Sequence, residues 1–345
     1  TSVDKKPQRC LQKYQAPVET FKTLTAKLNG ISLFDPAGYW FGTAISGFGY
    51  FCDMEKLKKA GISEPKSWEE IASPLFYGHL VSADPTTSSS TFMIFELIIQ
   101  NLKWDRGWET IISLAANIRG AFLTSSKRVL AKVVEEKEAM CGLVIDYLFY
   151  LQRENLAPNV KARLKFILPR ETGIFTSDPV AIVARAKNKE MAVRFIDYLL
   201  SEGQHLLIKK VGHPKGPFNR ALHRLPVVRS LYVKKPENEF YISPFSSISG
   251  VVYNYKEAAK KKRLFSLLMK KGLLDSHKAL VKCAGRAIRK KLVGRSLFQK
   301  VLPLTEKQFY AKNKELATST KLHWDRLQYV WMKHFEETYN GLYNK

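Results

Sequence analysis

The chain has 345 residues, 45% of them hydrophobic, and carries a formal net charge of +25 at pH 7. This length and composition indicate a globular protein of two domains, or of one large two-lobed unit. No run reaches the roughly 18 apolar residues that a membrane-spanning helix needs. No charged-then-apolar signal pattern stands at the first residues. If the protein is exported, we therefore expect its signal to lie outside this sequence.

Strand-like and helix-like segments alternate along the chain. The stretch "YGHLVSAD" (77–84) predicts a short strand, a helix follows to about Asn101, and "WDRGWETIISLAANI" predicts another helix. "KRVLAKVVEEKEA" predicts an amphipathic helix, "CGLVIDYL", "VKARLKFILP" and "DPVAIVAR" predict strands, and "NKEMAVRFIDYLLSEGQHLLIKKVG" predicts a long helix. From about residue 253 the pattern is helical to the end. The alternation favours α/β layers with largely parallel sheets.

The positive charge is concentrated in residues 251–300, which contain fifteen Lys and Arg and only two acidic residues, Glu257 and Asp275, for a net charge of +13. Lys and Arg alternate there with apolar residues at helical spacing, which favours a solvated helical face. Docking on nucleic acid or on a membrane surface is the alternative, because a basic excess points to an anionic partner.

Six consecutive hydroxyl residues, Thr86 to Thr91, precede an apolar helix-like segment. Helix capping is the simpler interpretation, although one hydroxyl is enough for it. The unpaired N–H groups of the first turn, the helix dipole and the additional hydroxyls would together form an anion-binding mouth. The candidate ligand-binding residues of this stretch are Ser88, Ser89, Ser90 and Thr91.

Other polar turns occupy similar positions. "LTSSKRVL" (123–130) also opens a helix, "GIFTSDPVAI" (173–182) precedes a strand, and "IDYLFY" (145–150) stands at a strand end. In α/β folds ligands bind where strands end and helices begin, so we expect these turns to line a cleft. They add the candidates Ser125, Ser126, Asp146 and Tyr147, with Ser46, Ser177 and Asp178 as further candidates.

Signs of catalysis are missing from the sequence. It contains no phosphate-binding P-loop, no G-x-G-x-x-G after a strand, no G-x-S-x-G and no H-E-x-x-H, and its seven histidines are scattered. The sequence therefore gives no positive sign of an enzyme, and we predict no cofactor and no metal site.

The four cysteines, Cys10, Cys52, Cys141 and Cys283, are far apart and form no C-x-x-C pair. This spacing disfavours a zinc site. Two disulfides could form in an oxidising compartment, but the sequence does not pair the cysteines. Cys141, inside the apolar run "AMCGLVI", is predicted to be a buried thiol.

Several short motifs follow one another in a recognisable order: Trp40–Gly42, Pro65–Trp68, Pro74–Gly78 and Asp84–Ser88. "GWETIISLAANIRGAFLTSS", "GLVIDYLFY", "SDPVAIVARAKNKEMAVRFIDYLLSEGQ" and "GPFNRALHRLP" continue the order downstream. Over roughly residues 30 to 290 the chain resembles the extracellular solute-binding proteins of ABC importers, and within them the group that binds ferric iron or phosphorylated solutes.

The resemblance implies an α/β, two-lobed type II periplasmic-binding-protein fold with a helical C-terminal region, whose lobes close on a ligand like a hinged trap. We expect an N-terminal lobe at 1–125, a second lobe at 126–250 and a basic helical region at 251–345 that packs on the lobes. The usual first βα units are not found ahead of "TSVDKKPQRCLQKYQAPVETF", so we expect an N-terminal lobe that is incomplete or unusual.

The function that the resemblance implies is capture of a small anionic solute, phosphorylated or carboxylated, and its delivery to an ABC permease. The protein would be periplasmic or extracellular, with or without a membrane tether, monomeric and not an enzyme. Ser88, Ser90, Thr91, Ser125 and Ser126 would donate hydrogen bonds to the anion, and Asp146 and Tyr147 would contact it from the other wall.

Ferric iron is the alternative cargo. Iron-binding members of the family use adjacent tyrosines near "IDYLFY", whereas Tyr147 and Tyr150 are three positions apart. Hard ferric iron prefers clustered oxygen ligands, and we therefore rank iron below an anionic solute.

Two further classes of function stay open. One is a basic protein that binds nucleic acid or an anionic surface through residues 251–300, with nucleic acid the less favoured partner. Such binding should weaken steeply with salt, unlike capture of a small solute in a cleft. The other is a receptor-like scaffold that no longer binds a ligand and serves as an interaction module.

Overall fold

The computed structural model describes residues 10–17, 20, 24–28, 30–170, 173–232, 243–245, 253–292, 298 and 301–342. Its contacts divide the chain into two compact units, each assembled from three stretches. Unit 1 consists of Thr1–Phe48, Ile145–Asn155 and Gly173–Val252. Unit 2 consists of Gly49–Val144, Leu156–Thr172 and Tyr253–Lys345. The division expected from the sequence, at 1–125, 126–250 and 251–345, follows chain order instead and stays a prediction.

The strands of the described residues, in chain order, are β1 (Leu11–Gln12), β2 (Lys27–Leu28), β3 (Ile31–Ser32), β4 (Phe41–Asp53), β5 (Leu80–Val81), β6 (Cys141–Ile145), β7 (Leu164–Ile167), β8 (Phe175–Val180) and β9 (Ile182–Val183).

The α-helices of the described residues are α1 (Met54–Lys59), α2 (Trp68–Ile71), α3 (Ser89–Leu102), α4 (Trp104–Ala116), α5 (Val129–Glu135), α6 (Asp146–Arg153), α7 (Pro158–Arg163), α8 (Lys189–Leu200), α9 (Gly203–Leu206), α10 (Tyr255–Met269), α11 (His277–Arg289), α12 (Glu306–Leu316) and α13 (Lys321–Gly341). Short 3₁₀ turns lie at Pro74–Phe76, Ser126–Arg128 and Arg229–Tyr232, and a π-helical segment lies at Lys270–Asp275. None of the helices in these described ranges is both long and apolar enough to cross a membrane.

Strand β4 is the centre of the main sheet. It is 13 residues long, and every residue except Thr43 is buried. In unit 1 its first half pairs antiparallel with β8, and in unit 2 its last four residues pair antiparallel with β7. The five-stranded sheet has the order β5-β6-β4-β7, with β8 on β4, and β5 pairs parallel with β6. The sheet is mixed, so the prediction of largely parallel sheets is wrong. The alternation of strands and helices along the chain does not fix which strands pair or in which direction, and β4 pairs antiparallel with strands that follow it by more than a hundred residues.

Two element predictions also need correction. The first part of "VKARLKFILP" is helix α7, which begins with Pro158 in the first turn, a position that proline favours, and strand β7 follows it directly. The predicted long helix after Asn188 ends at Leu200, and the chain resumes as the short α9. Periodicity alone does not locate such breaks.

The described part of the basic C-terminal region belongs to unit 2. There its aromatic side chains pack on α4: the Trp104 ring lies 4.9 Å from Phe309, and the Trp108 ring lies 5.3 Å from Phe265. One of its lysines, Lys261, is fully buried and forms an ion pair of 2.8 Å with the equally buried Glu96 of α3. The region is thus partly a core element and not only a solvated face.

A disulfide joins Cys52 of β4 to Cys141 of β6 within unit 2, with the two Cα atoms 4.2 Å apart. The prediction of a buried free thiol at Cys141 is therefore wrong, because β4 and β6 are sheet neighbours and bring together cysteines 89 residues apart. Cys10 is exposed and free. Cys283 is buried and free, and its burial raises the pKa of the thiol to about 11.

Candidate functional site

In unit 2 the hydroxyl run forms the entrance of helix α3. Ser88 is the N-cap, and its Oγ accepts hydrogen bonds from the Thr91 N–H at 3.3 Å and the Thr91 hydroxyl at 3.1 Å. Asp84 accepts from the Thr86 N–H at 2.6 Å and the Thr86 hydroxyl at 2.7 Å. Ser88, Thr86 and Thr91 are thus already engaged in holding the loop.

Two hydroxyl residues of the run, Ser89 and Ser90, take less part in the hydrogen bonds that hold the loop. Ser89 is exposed, and Ser90 is half-buried with its Oγ 3.1 Å from the Ser88 Oγ. Among the described residues the backbone N–H groups of Ser89 and Ser90 have no acceptor. These donors stand at the positive end of a 14-residue helix, an arrangement that attracts anions.

The second hydroxyl turn lies beside the first in unit 2. Ala83 and Leu123 form a parallel bridge, and the Asp84 N–H donates to the Leu123 carbonyl at 2.8 Å. Ser125 then caps the 3₁₀ turn by accepting from the Lys127 N–H at 3.3 Å. Ser125 and Ser126 are both half-buried. The structure therefore brings the turns of Ser88–Thr91 and Ser125–Ser126 to the same edge of the sheet.

In unit 1 the carboxylate of Asp146 is buried at the start of α6, directly after β6. It accepts from the Gly47 N–H at 2.8 Å and from the Tyr147 N–H at 2.6 Å. Burial raises the pKa of Asp146 to about 7, while these two backbone bonds act in the opposite direction. Because both carboxylate oxygens bond to backbone, Asp146 fixes the start of α6 to β4, and its contact with a ligand stays a prediction.

Beside Asp146 lies a group of polar side chains from β4, α6, β8 and the loop that contains Arg224, all in unit 1. The Ser46 hydroxyl donates to Asp178 Oδ2 at 3.2 Å, and Arg224 donates from Nη1 to the same oxygen. The Arg224 guanidinium lies over the Tyr147 ring, 3.5 Å from its centroid. Burial raises the pKa of Asp178, and the charge of Arg224 acts against this shift. We call Ser46, Asp146, Tyr147, Asp178 and Arg224 the arginine cluster.

Ser177, another predicted candidate, lies outside the arginine cluster. It is the strand neighbour of Asp178, and successive side chains of a strand point to opposite faces. Its Cβ faces Gly42, where an added side chain would lie 2.6 Å from it. Ser177 therefore points away from Asp178, and its part in binding stays a prediction.

Arg224 was not predicted from the sequence, although the motif "GPFNRALHRLP" contains it. Its loop is fixed by the Ile45 N–H, which donates to the Leu225 carbonyl at 2.6 Å, and by His223, which pairs with Glu154 at 2.8 Å. His223 has a left-handed backbone with φ of 51°, an uncommon conformation that clusters at functional sites. The signal available in the sequence was one arginine between the apolar residues Leu222 and Leu225 of this motif.

Among the described residues, neither the entrance of α3 nor the arginine cluster brings together three side chains that could bind a metal ion. Across the described ranges, no three His, Cys, Asp or Glu side chains lie where they could hold one metal ion. Both groups instead present hydrogen-bond donors, which suit oxygen atoms of an anion.

Comparison with known proteins identifies relatives over much of the chain. A family model described as bacterial extracellular solute-binding protein matches residues 6–220. The phosphoglycerate transport regulatory protein PgtC of Salmonella typhimurium is 26% identical over 165 residues, which cover 48% of this chain and 39% of that protein. An uncharacterized protein of Haemophilus influenzae is 28% identical over 168 residues, covering 48% of this chain and 46% of that protein. The chain thus spans less than half the length of these curated relatives.

Solved structures show the same fold at low identity. The periplasmic binding protein P5PA superposes with a TM-score of 0.57 at 19% identity, covering 76% of each chain. The Bordetella ferric binding protein superposes with a TM-score of 0.55 at 17% identity, covering 80% of this chain and 77% of the other. These likenesses confirm the type II periplasmic-binding-protein fold that the sequence motifs predicted.

Proposed function

Because the chain belongs to the bacterial extracellular solute-binding protein family, we propose that it is the solute-binding component of an ABC importer that captures a small anionic solute and delivers it to a permease. The observation that carries the proposal is Arg224, a guanidinium held in place by Asp178 and Tyr147. An arginine positioned in this way is suited to a carboxylate or phosphate group.

The geometry of Arg224 leaves donors for a ligand. A guanidinium has five N–H groups, and among the described residues its side-chain hydrogen-bond partner is Asp178. The Tyr147 ring covers one face and limits the rotation of the side chain. A fork fixed in this way loses little entropy when it binds two oxygens of one anionic group.

In unit 2 the entrance of α3 and the neighbouring 3₁₀ turn supply neutral donors. These are the backbone N–H groups of Ser89 and Ser90, together with the hydroxyls of Ser90, Ser125 and Ser126. Such donors stabilise an anion without adding charge to the site. We propose that these donors bind an anionic group of the solute.

The solute class that these groups favour is a phosphorylated or carboxylated compound. The relative from Salmonella is named for phosphoglycerate transport, and phosphoglycerate carries a phosphate and a carboxylate. Ferric iron, which the Bordetella relative is named for, is the alternative cargo.

The remaining parts of the proposal concern the protein's setting. A protein that captures and releases a solute needs no catalytic group and no cofactor, so we propose that it is not an enzyme. We propose a monomer in the periplasm or at the outer side of the cell membrane, where it would meet its permease.

A thermal-shift screen tests this function. The probes are 3-phosphoglycerate, glycerol 3-phosphate, inorganic phosphate, malate and ferric citrate, each tested on wild type, Arg224→Gln and the control Arg220→Gln. Arg220 is exposed in the same loop, so its replacement removes an equal charge. One anion at a hundred times its Kd should stabilise the wild type and the control by about 2.7 kcal/mol, and Arg224→Gln far less. No shift with any anion, or an equal shift in Arg224→Gln, would overturn the proposal.

A further inference from the structure

Helix α11 has one face in the core of unit 2. Leu280, Cys283, Ala284 and Ala287 are buried on this face, and the helix packs against α4 and α13. The helix therefore cannot turn its apolar side outward without unfolding part of unit 2. Any role that it has outside the core depends on its other face.

The other face of α11 is a row of four cations, Lys278, Lys282, Arg286 and Arg289. At the spacing of these residues an α-helix keeps all four within an arc of about 80° and a length of about 16 Å. Lys278, Lys282 and Arg289 are exposed, and Arg286 is half-buried. We call this row the α11 basic face.

The positive charge of the α11 basic face is not neutralised within the described structure. The helix contains no acidic residue. The neighbouring Asp275 is already paired with Lys270 at 2.7 Å and with Lys271 at 2.6 Å. Lys278, Lys282 and Arg289 form no ion pair with a described acidic residue, and Arg286 donates to the Asn340 carbonyl at 3.2 Å. Four uncompensated charges in one row attract a surface of opposite charge.

We propose that the α11 basic face docks the protein on the phosphate headgroups of an anionic lipid bilayer. Each Lys or Arg near such a surface contributes about a fivefold factor in binding, and the attraction is screened by salt. Since the apolar side of α11 is buried, the helix lies on the bilayer without inserting. Docking of this kind is reversible and depends on salt.

An anionic membrane suits the α11 basic face better than single-stranded nucleic acid does. Proteins that bind single strands combine basic grooves with aromatic side chains that stack on bases, and the exposed face of α11 carries no aromatic residue. The family is extracellular, where the extended anionic surface beside the protein is the membrane. The inference does not depend on which solute the protein binds.

Vesicle co-sedimentation of the full chain tests the inference. The vesicles are phosphatidylcholine alone, and phosphatidylcholine with one third replaced by phosphatidylglycerol. Wild type should bind only the anionic vesicles, and more weakly at physiological than at low salt. The double variant Lys278→Gln/Lys282→Gln should bind them about thirtyfold more weakly, and Arg289→Gln about fivefold more weakly, since each cation contributes about a fivefold factor.

The matched control is Lys187→Gln/Lys189→Gln, which removes two exposed lysines at and beside the start of α8 in unit 1. It should bind the anionic vesicles within about twofold of wild type, because only cations close to the bilayer surface contribute to the attraction. Equal losses in both double variants, or no binding by wild type, would overturn the inference. Binding of a DNA duplex that requires Lys278 and Lys282, without binding to vesicles, would overturn it in favour of nucleic acid. Urea unfolding curves of all variants show whether each one is folded.

Discussion

The neighbours of Arg224 hold its guanidinium in a position that suits the binding of an anion. Asp178 fixes the position of the guanidinium, the Tyr147 ring supports its face, and Ser46 donates to the same carboxylate oxygen as Arg224. Asp178 also offsets the charge of Arg224, so the pair is close to neutral before the solute arrives.

Replacing Arg224 by Lys or by Gln separates the effect of charge from that of shape. Gln removes the charged donor and should weaken binding of the anion by about 10-fold to 100-fold, as expected for a hydrogen bond to a charged group. Lys keeps the charge but lacks the planar fork, so its loss should be intermediate. Calorimetric titration with the anion that gives the largest thermal shift measures both. Wild-type affinity in the Lys variant would show that the fork geometry is irrelevant.

Asp146 makes the stability of the protein depend on pH. Its pKa rises from 3.8 to about 7 on folding, mainly because of burial. The folded state therefore holds the proton more tightly than the unfolded chain. The stabilisation from this group is fully present below about pH 4 and is lost as pH rises to about 7.

The variant Asp146→Asn should remove this dependence on pH. The free energy of unfolding of wild type minus that of the variant should fall by up to about 4 kcal/mol between pH 4 and pH 7, since each unit of pKa shift is worth about 1.4 kcal/mol, and should level off above pH 7. Urea denaturation across this range measures the difference. A difference that stays constant, or that increases with pH, would contradict the pKa assigned to Asp146.

At the residue scale the sequence predicted where the polar turns lie better than it predicted which distant residues contact the candidate site. A helix start could be predicted at Thr86–Thr91 because Ser and Thr cap helices by a local hydrogen bond. Ser88 makes this bond in the structure. Arg224 was missed because its importance comes from Asp178 and Tyr147, which are 46 and 77 positions away in the sequence. A single sequence does not show which distant residues will become neighbours.

Among the secondary-structure elements, α3 combines a structural hydroxyl with a candidate ligand donor. Ser88 caps the helix, whereas the Ser90 hydroxyl contacts, among the described residues, the Ser88 hydroxyl. Ser88→Ala should therefore lower the free energy of unfolding by about 1 kcal/mol. Ser90→Ala should leave stability almost unchanged and weaken anion binding severalfold. Urea unfolding and calorimetry on the same samples test both, and a Ser90→Ala variant with wild-type affinity would remove Ser90 from the site.

Strands β4 and β6 are joined covalently by the disulfide Cys52–Cys141, which closes a loop of 89 residues. Constraining a loop of this length in the unfolded chain stabilises a protein by about 2–4 kcal/mol. The variant Cys52→Ala/Cys141→Ala should therefore have a clearly lower Tm, and reductant should lower the wild-type Tm in the same way. Cys10→Ser, at the exposed free cysteine, is the control. An unchanged Tm in the double variant would show that the disulfide does not stabilise the fold.

Element predictions succeeded where one stretch of sequence contained the whole signal. The helices α3 and α4 lie close to where periodicity and capping placed them. The directions of β7 and β8 against β4, and the pairing of Cys52 with Cys141, depend on contacts between stretches more than eighty residues apart. Periodicity carries no information about such contacts.

At the scale of the whole molecule, the net charge of +25 has more than one structural role. Lys261 is paired with Glu96 in the core, Arg224 belongs to the arginine cluster, and Lys278 lies on the α11 basic face. The sequence predicted that residues 251–300 form basic helices, and the described part of this segment does so. It did not predict that Lys261 would be buried, because a lysine in the core needs a partner that only the fold supplies.

The proposed function requires that this protein binds one small anionic solute at a preformed site. The most direct test is calorimetric titration of the wild-type chain with the same five probes, at low and at physiological salt. We predict saturable binding of one anion per chain, with an affinity that changes only modestly with salt. Absence of binding by all five probes, or binding confined to polyanions and lost at physiological salt, would contradict this function.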